Sequence, residues 1–351
     1  MTPPIPIFDG HNDVLLRLYN STSADPVTDF LQGESSGHLD LKKARAGGFA
    51  GGLFALYSPS PRPATTADPA NAALSRPLPP PLPMEDARAS VVGELAMLVK
   101  IERASQGAVA ICRNVAEIRA AMGRGALAAV LHIEGAEAID GKLHFLDVLY
   151  ATGLRSLGPV WSRPNIFGHG VPFQFPSSPD IGDGLTAAGE ELVRVCNDLK
   201  VLIDLSHITE KGFWDVARLS KAPLVATHSN VHALCPSPRN LTDKQLAAIR
   251  DTGGMVGLNF ATGFLRPDGK MRGDTDIELM VQHLDYLLDK LGEDHVGLGS
   301  DFDGAMVPQK IGSAAGLPVL FDALRAKGYS DALMTKVASE NWLRLLERTI
   351  G

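Results

Sequence analysis

In the stretch Ile5-Pro6-Ile7-Phe8-Asp9-Gly10-His11-Asn12-Asp13, an imidazole and a carboxylate stand two residues apart at the end of an apolar run. An extended chain alternates its side chains, so His11 and Asp13 share a face and can grip one divalent cation. The plain alternative is a helix start, with Asn12 or Asp13 capping Val14-Leu15-Leu16. Glu134, His207, His228 and Asp301 repeat the placement, each at or just after the end of a separate apolar run. One such histidine is more often a packed core residue, but the recurrence favours a metal site. Three imidazoles and three carboxylates are enough ligands for two cations. Glu134 then bridges, one oxygen to each cation, with His11 and Asp13 on one and His207 and His228 on the other. Two cations about 3.5–4 Å apart can share a hydroxide and lower its pKa. Asp301 stands where it takes and returns that proton. Its alternative task is capping the turn Asp301-Phe302-Asp303-Gly304, which suits Asp303 better.

The elements that must position these groups alternate. Apolar runs at 5–8, 51–57, 109–112, 127–133, 154–160, 201–205, 224–227, 255–260 and 295–299 are separated by segments of helical character. This order predicts parallel strands joined by crossover helices, and about eight strands point to a (β/α)8 TIM-like barrel of the α/β class. In such a barrel the strands' carboxyl ends converge on one face, which brings the six groups together. The helix expected over 85–105 turns Val91, Leu95, Leu98 and Val99 inward. Residues 58–83 hold nine of the 24 prolines. They read as a long surface loop, partly polyproline II, inserted in one domain spanning 1–351.

Charged side chains number 33 basic and 40 acidic, a net charge of −7. That argues against binding nucleic acid by phosphate neutralisation. No uncharged apolar run is long enough to span a bilayer. Three cysteines without a CxxC pair suit a reducing compartment, so a cytoplasmic location is expected.

The stretches Asp9–Asp13, His132-Ile-Glu-Gly135, Leu202-Ile-Asp-Leu-Ser-His207, Thr227-His-Ser229, Ser237-Pro-Arg-Asn240 and Gly299-Ser-Asp-Phe-Asp-Gly304 together resemble the membrane (renal) dipeptidases. These are zinc peptidases on amidohydrolase-like barrels, and this chain looks like a soluble member. The tail around Asn341-Trp342-Leu343-Arg344 is similar as well. The resemblance implies two zinc ions on His11, Asp13, Glu134, His207 and His228, with Asp301 as acid/base. It places a dipeptide's carboxylate on Arg239, whose planar fork suits the task; a loop cation is the alternative there. It also suggests a homodimer. One position departs: the family carries a substrate-holding histidine where this chain has Trp161, which has only an indole N–H to offer. His169, a few residues on, is the expected replacement.

Other polar residues have ordinary explanations. Tyr57 either lines the pocket or packs in the core, and His132 is expected as a packed residue. His144, His232, His283 and His295 are expected on helix or loop surfaces. Asp40 starts a helix, and Asp9 either orients a ligand histidine or makes a turn. The leading function is a metal-dependent dipeptidase. Another amide, N-acyl or lactone hydrolase on the same scaffold is the alternative, kept open by Trp161 and the proline-rich loop. A non-catalytic barrel with structural metal fits less well, because the donor set leaves room for water.

Overall fold

The computed structural model describes residues 5–60 and 75–351. Nine strands form one parallel sheet: β1 (Ile7–Asn12), β2 (Phe49–Tyr57), β3 (Val109–Ile111), β4 (Leu127–Glu134), β5 (Leu154–Gly158), β6 (Leu202–Ile203), β7 (Val225–Ala226), β8 (Met255–Asn259) and β9 (Val296–Gly299). The order β6-β5-β4-β2-β1-β9-β8-β7 makes eight of them a ring. A bridge between Asp204 and Val225 joins its ends. The expected (β/α)8 TIM-like barrel is therefore present. The run at 109–112 does form a strand, but β3 lies outside the ring, pairing with the start of β4 (Val109 with Leu127) before β5 takes that edge from Leu131 onward.

Alternate strand residues divide between two cores, as the period of two requires. Ile7, Leu131, Ile133, Leu258 and Leu298 face the surrounding helices. Phe8, Leu53, Ala128, Val130, Leu202, Val225 and Met255 fill the barrel interior. The interior is closed at the strands' amino ends by Trp342, Leu343 and Leu346 of the last helix, Asn341–Thr349. On β4, His132 and Glu134 continue the inward row of Ala128 and Val130 up to the opposite mouth. On β1 the same parity would send His11 outward, but the pairing with β2 shifts register between Asp9 and Asn12. An irregularity of this kind re-aims the following side chains.

Several expectations need correcting. The expected 85–105 helix runs Met84–Ala104, but Val99 is 43% exposed while Val91 and Leu98 are buried. Two short helices, Val14–Tyr19 and Pro26–Gln32, lie where no element was expected beyond a helix start at 13. His283 is buried and not at the surface: its Nδ1 accepts from the Val231 amide at 3.2 Å and its Nε2 donates to the Leu265 carbonyl at 3.0 Å. The described parts of the proline-rich loop, 58–60 and 75–83, contain no helix or strand; its residues 61–74 lie outside the described residues.

Candidate metal centre

Glu134 ends β4 at the carboxyl mouth, and one of its oxygens gathers three imidazoles. Oε1 is 3.0 Å from His207 Nε2, 3.2 Å from His228 Nε2 and 3.5 Å from His11 Nε2. Asp13 Oδ2 is 3.2 Å from His11 Nε2. His207 and His228 face each other Nε2 to Nε2 at 3.2 Å, and the His11 and His228 rings stack with centroids 3.8 Å apart. All five side chains are buried. Imidazole nitrogens and carboxylate oxygens that converge this closely are a donor set that fits a divalent cation. Among the described residues, two overlapping groups of donor atoms are compact enough to hold an ion: His11, Glu134 and His228, and His11, Asp13 and Asp301.

The electrostatics follow from burial. Desolvation alone would lower His11, but the carboxylates of Glu134 and Asp13 outweigh it and lift the imidazole to about 10. Burial pushes His207 and His228 well below the ordinary histidine value, aided by Arg239 and His11. Burial holds the Glu134 carboxyl well above its usual range. Asp301 is raised too, by burial first and the Asp13 carboxylate second. Asn259 Nδ2 donates to Asp301 Oδ2 at 3.0 Å.

Asp301 opens onto a cavity of about 520 Å³ together with Asp13, Glu134 and His207. Tyr57 and Trp161 line the same cavity, with Phe173 and Phe264 beyond them. The Trp161 ring lies 5.2 Å from Tyr57 and 5.8 Å from His207. Arg163 backs both aromatics at 5.0 and 5.5 Å and forms a buried pair with Glu137 at 2.7 Å. Among the described residues, neither His169 nor Arg239 is part of the lining. His169 Nδ1 faces the Gly184 carbonyl at 3.3 Å. Arg239 is buried behind the cavity wall, over the Phe264 ring. Its terminal nitrogens donate to the Ser206 and His228 carbonyls, and among the described residues its Nε has no partner.

Several contributing residues carry little signal in the sequence. Ser162 Oγ contacts His207 Nδ1 at 2.9 Å and Thr227 Oγ1 contacts His228 Nδ1 at 2.8 Å. Asp9 accepts from the Ser300 amide and hydroxyl, both at 2.7 Å, and so pins β1 to the end of β9. Asp303 accepts from the amides of His38 and Leu39, at 2.6 and 3.3 Å. Asp40 caps its helix through the Lys43 amide.

A parallel barrel with this donor cluster at its carboxyl mouth defines a metallohydrolase. Residues 2–350 match the family model described as membrane dipeptidase (peptidase family M19), and the chain belongs to that family. It is a peptidase. A metallopeptidase from Rhodobacter sphaeroides, liganded with a phosphinate mimic of the dipeptide L-Ala-D-Ala, superposes with a TM-score of 0.96 at 54% identity over 99% of each chain. Dipeptidase AC, another metallopeptidase, superposes with 0.94 at 55% identity, again over 99% of each. An uncharacterised Klebsiella pneumoniae protein from the pqqA 5′ region is 52% identical over 72% of this chain and 94% of its own. Among the described residues no helix is long and apolar enough to cross a membrane.

Proposed function

We propose that the chain hydrolyses the peptide bond of free dipeptides, with two zinc ions on His11, Asp13, Glu134, His207 and His228. The observation that carries this is the meeting of three imidazole nitrogens on one Glu134 oxygen, beside a cavity that also presents Asp301. The similarity to a structure holding a dipeptide mimic supports it. When bound by these residues, metal ions would lower the pKa of a water molecule and polarise the scissile carbonyl.

The remaining tasks fall to the chain. Asp301 has a raised affinity for its proton and faces the cavity, so it suits taking a proton during attack and returning it to the leaving amine. Asn259 holds its second oxygen in place. Tyr57, Trp161 and Phe173 give the substrate an apolar wall and keep water from it. Arg239 remains the group proposed for the substrate's carboxylate, which requires its fork to leave two backbone carbonyls. His169, which also lies off the lining with its Nδ1 facing the Gly184 carbonyl, is the group proposed in place of the family's histidine, and His169→Ala should then lower kcat/KM; an unchanged kcat/KM would remove it from the site.

Trp161, an apolar side chain beside His207, favours a second reading in which an N-acyl or other amide is the substrate. A metal count and a panel of L,L-, L,D- and N-acyl substrates on one dialysed and zinc-reloaded preparation separates the two. Free dipeptides should turn over only in the reloaded protein, with about two metal ions per chain. Turnover restricted to N-acylated substrates would replace the dipeptidase reading with the second one.

A further inference from the structure

The barrel is joined at its weakest seam. Strands β6 and β7 are two residues long and meet only through the bridge at Asp204 and Val225, yet the residues just beyond them include His207 and His228. The Asp204 side chain supplies the bonds that a longer ladder would have made. Its Oδ1 accepts from the Ser206 amide at 3.1 Å, the Ser206 hydroxyl at 2.6 Å and the Thr227 amide at 2.8 Å. Its Oδ2 accepts from the Thr227 hydroxyl at 2.7 Å.

We propose that Asp204 is a positioning residue which, through the Thr227 hydroxyl, fixes His228 in the tautomer whose bare Nε2 faces Glu134. The inference rests on the metal-site reading above and adds to it the group that sets one ligand's proton. A carboxylate accepts hydrogen bonds and donates none. Thr227 therefore spends its only hydroxyl proton on Asp204, and Oγ1 is left with lone pairs. His228 Nδ1 is 2.8 Å from that oxygen, so the contact is a hydrogen bond only if Nδ1 carries the proton. Asp204 Oδ2 is itself 3.9 Å from Nδ1, too far to do the same directly. With Nδ1 protonated, Nε2 offers its lone pair 3.2 Å from Glu134 Oε1. Ser206, its proton likewise spent on Asp204, accepts from the His228 amide at 3.1 Å and holds the backbone of the same residue. His11 has no such arrangement: its Nδ1 has no hydrogen-bond partner among the described residues.

Asp204→Asn tests this with little change of shape. Three donors point at the Oδ1 position, so the amide oxygen must stay there and the NH2 must face Thr227. Thr227 then accepts from the amide and turns its proton to His228 Nδ1, which moves the imidazole proton to Nε2. Thr227→Val removes the link, and Thr227→Ser keeps it.

The readouts are two-bond proton–nitrogen spectra of histidine-labelled, chelator-stripped full-length protein, and zinc affinity in metal-buffered solution. Wild type and Thr227→Ser should show His228 protonated at Nδ1, and Asp204→Asn should show it at Nε2. Zinc affinity at one site should fall about 10–100-fold in Asp204→Asn and Thr227→Val and stay within a few-fold in Thr227→Ser. Nε2 protonation in stripped wild type, or undiminished zinc affinity in Thr227→Val, overturns the proposal. If Asp204→Asn does not fold, the Thr227 pair decides. Neither readout uses turnover, so a wild type that hydrolyses no dipeptide would sink the functional reading and leave this one standing.

Discussion

Asp301 is the side chain in which position and proton affinity most plainly serve one task. Burial and the Asp13 carboxylate both favour its protonated form, while the Asn259 amide favours the charged one. A carboxyl held above its ordinary value in this way takes up and returns a proton more readily than a free carboxylate. Asp301→Asn keeps the shape and loses the exchange, so kcat/KM should drop about 10²–10⁴-fold with metal content unchanged. A variant that lost metal in parallel would make Asp301 a ligand instead, which its grouping with His11 and Asp13 allows. Gly304 tests the geometry independently. A methyl group there would stand 2.0 Å from Asp13 Oδ2 and 2.4 Å from Asp301 Oδ1, so Gly304→Ala must displace both carboxylates. Displacements of about 1 Å cost about 100-fold in rate, and steady-state kinetics should show a loss of that order. At this scale the sequence discloses the ionisable groups, because each follows an apolar run. It hides the partners that aim them. Ser162 is 45 residues from His207 and Asn259 is 42 from Asp301, and hydroxyls and amides are too common along the chain to stand out.

The elements were legible where they are long and periodic. β2 and β4 read directly from their apolar runs, whereas β6 and β7 shrink to two residues because side-chain bonds from Asp204 and Ser206 replace the ladder. The register shift in β1 has no sequence signature, since it depends on how Asp9 and Asn12 meet β2. The misjudged His283 shows the limit of reading one helix alone. It lies on the buried face of the helix Ile277–Leu291 and ties the Val231 amide to the carbonyl of Leu265 at the end of the short helix Thr262–Leu265, two groups that only the fold brings together. Its proton affinity has a consequence for the whole element. Burial lowers it to about 4, below the ordinary 6.5, so the folded protein keeps it neutral. Above about pH 6.5 neither state binds the proton and the contribution is fully present. As pH falls through 6.5 towards 4 the unfolded chain takes up a proton that the fold refuses, and stability is lost. The difference amounts to about 3 kcal/mol between pH 7 and 4. His283→Gln should flatten that part of the pH dependence of denaturant unfolding. An unchanged slope would mean that His283 titrates normally in the fold.

On the scale of the molecule, the barrel separates chemistry from stability along its axis. The carboxyl mouth collects buried ionisable groups that are costly to hold, and the amino end is sealed by apolar packing. Trp342 is the centre of that seal. Its indole N–H donates to the Leu298 carbonyl at 2.9 Å, and the side chain is wholly buried. Glycines on three strands make room for it: a Cβ at Gly10, Gly297 or Gly257 would lie 2.5, 2.6 or 3.1 Å from the indole. The sequence shows the tryptophan near the chain's end and the glycines far upstream, but nothing local relates them. Because the socket is built from strand backbones joined in one ring, it cannot collapse around a smaller side chain. Trp342→Ala should therefore leave a cavity and an unpaired carbonyl, at a cost of about 3–5 kcal/mol in denaturant unfolding. The active mouth lies at the other end of the same strands, so below its lowered melting point the variant should retain kcat/KM within a few-fold of wild type. A variant as stable as wild type would show that the last helix does not hold the barrel closed. A stable variant with lost activity would show instead that the two ends are coupled through the strands.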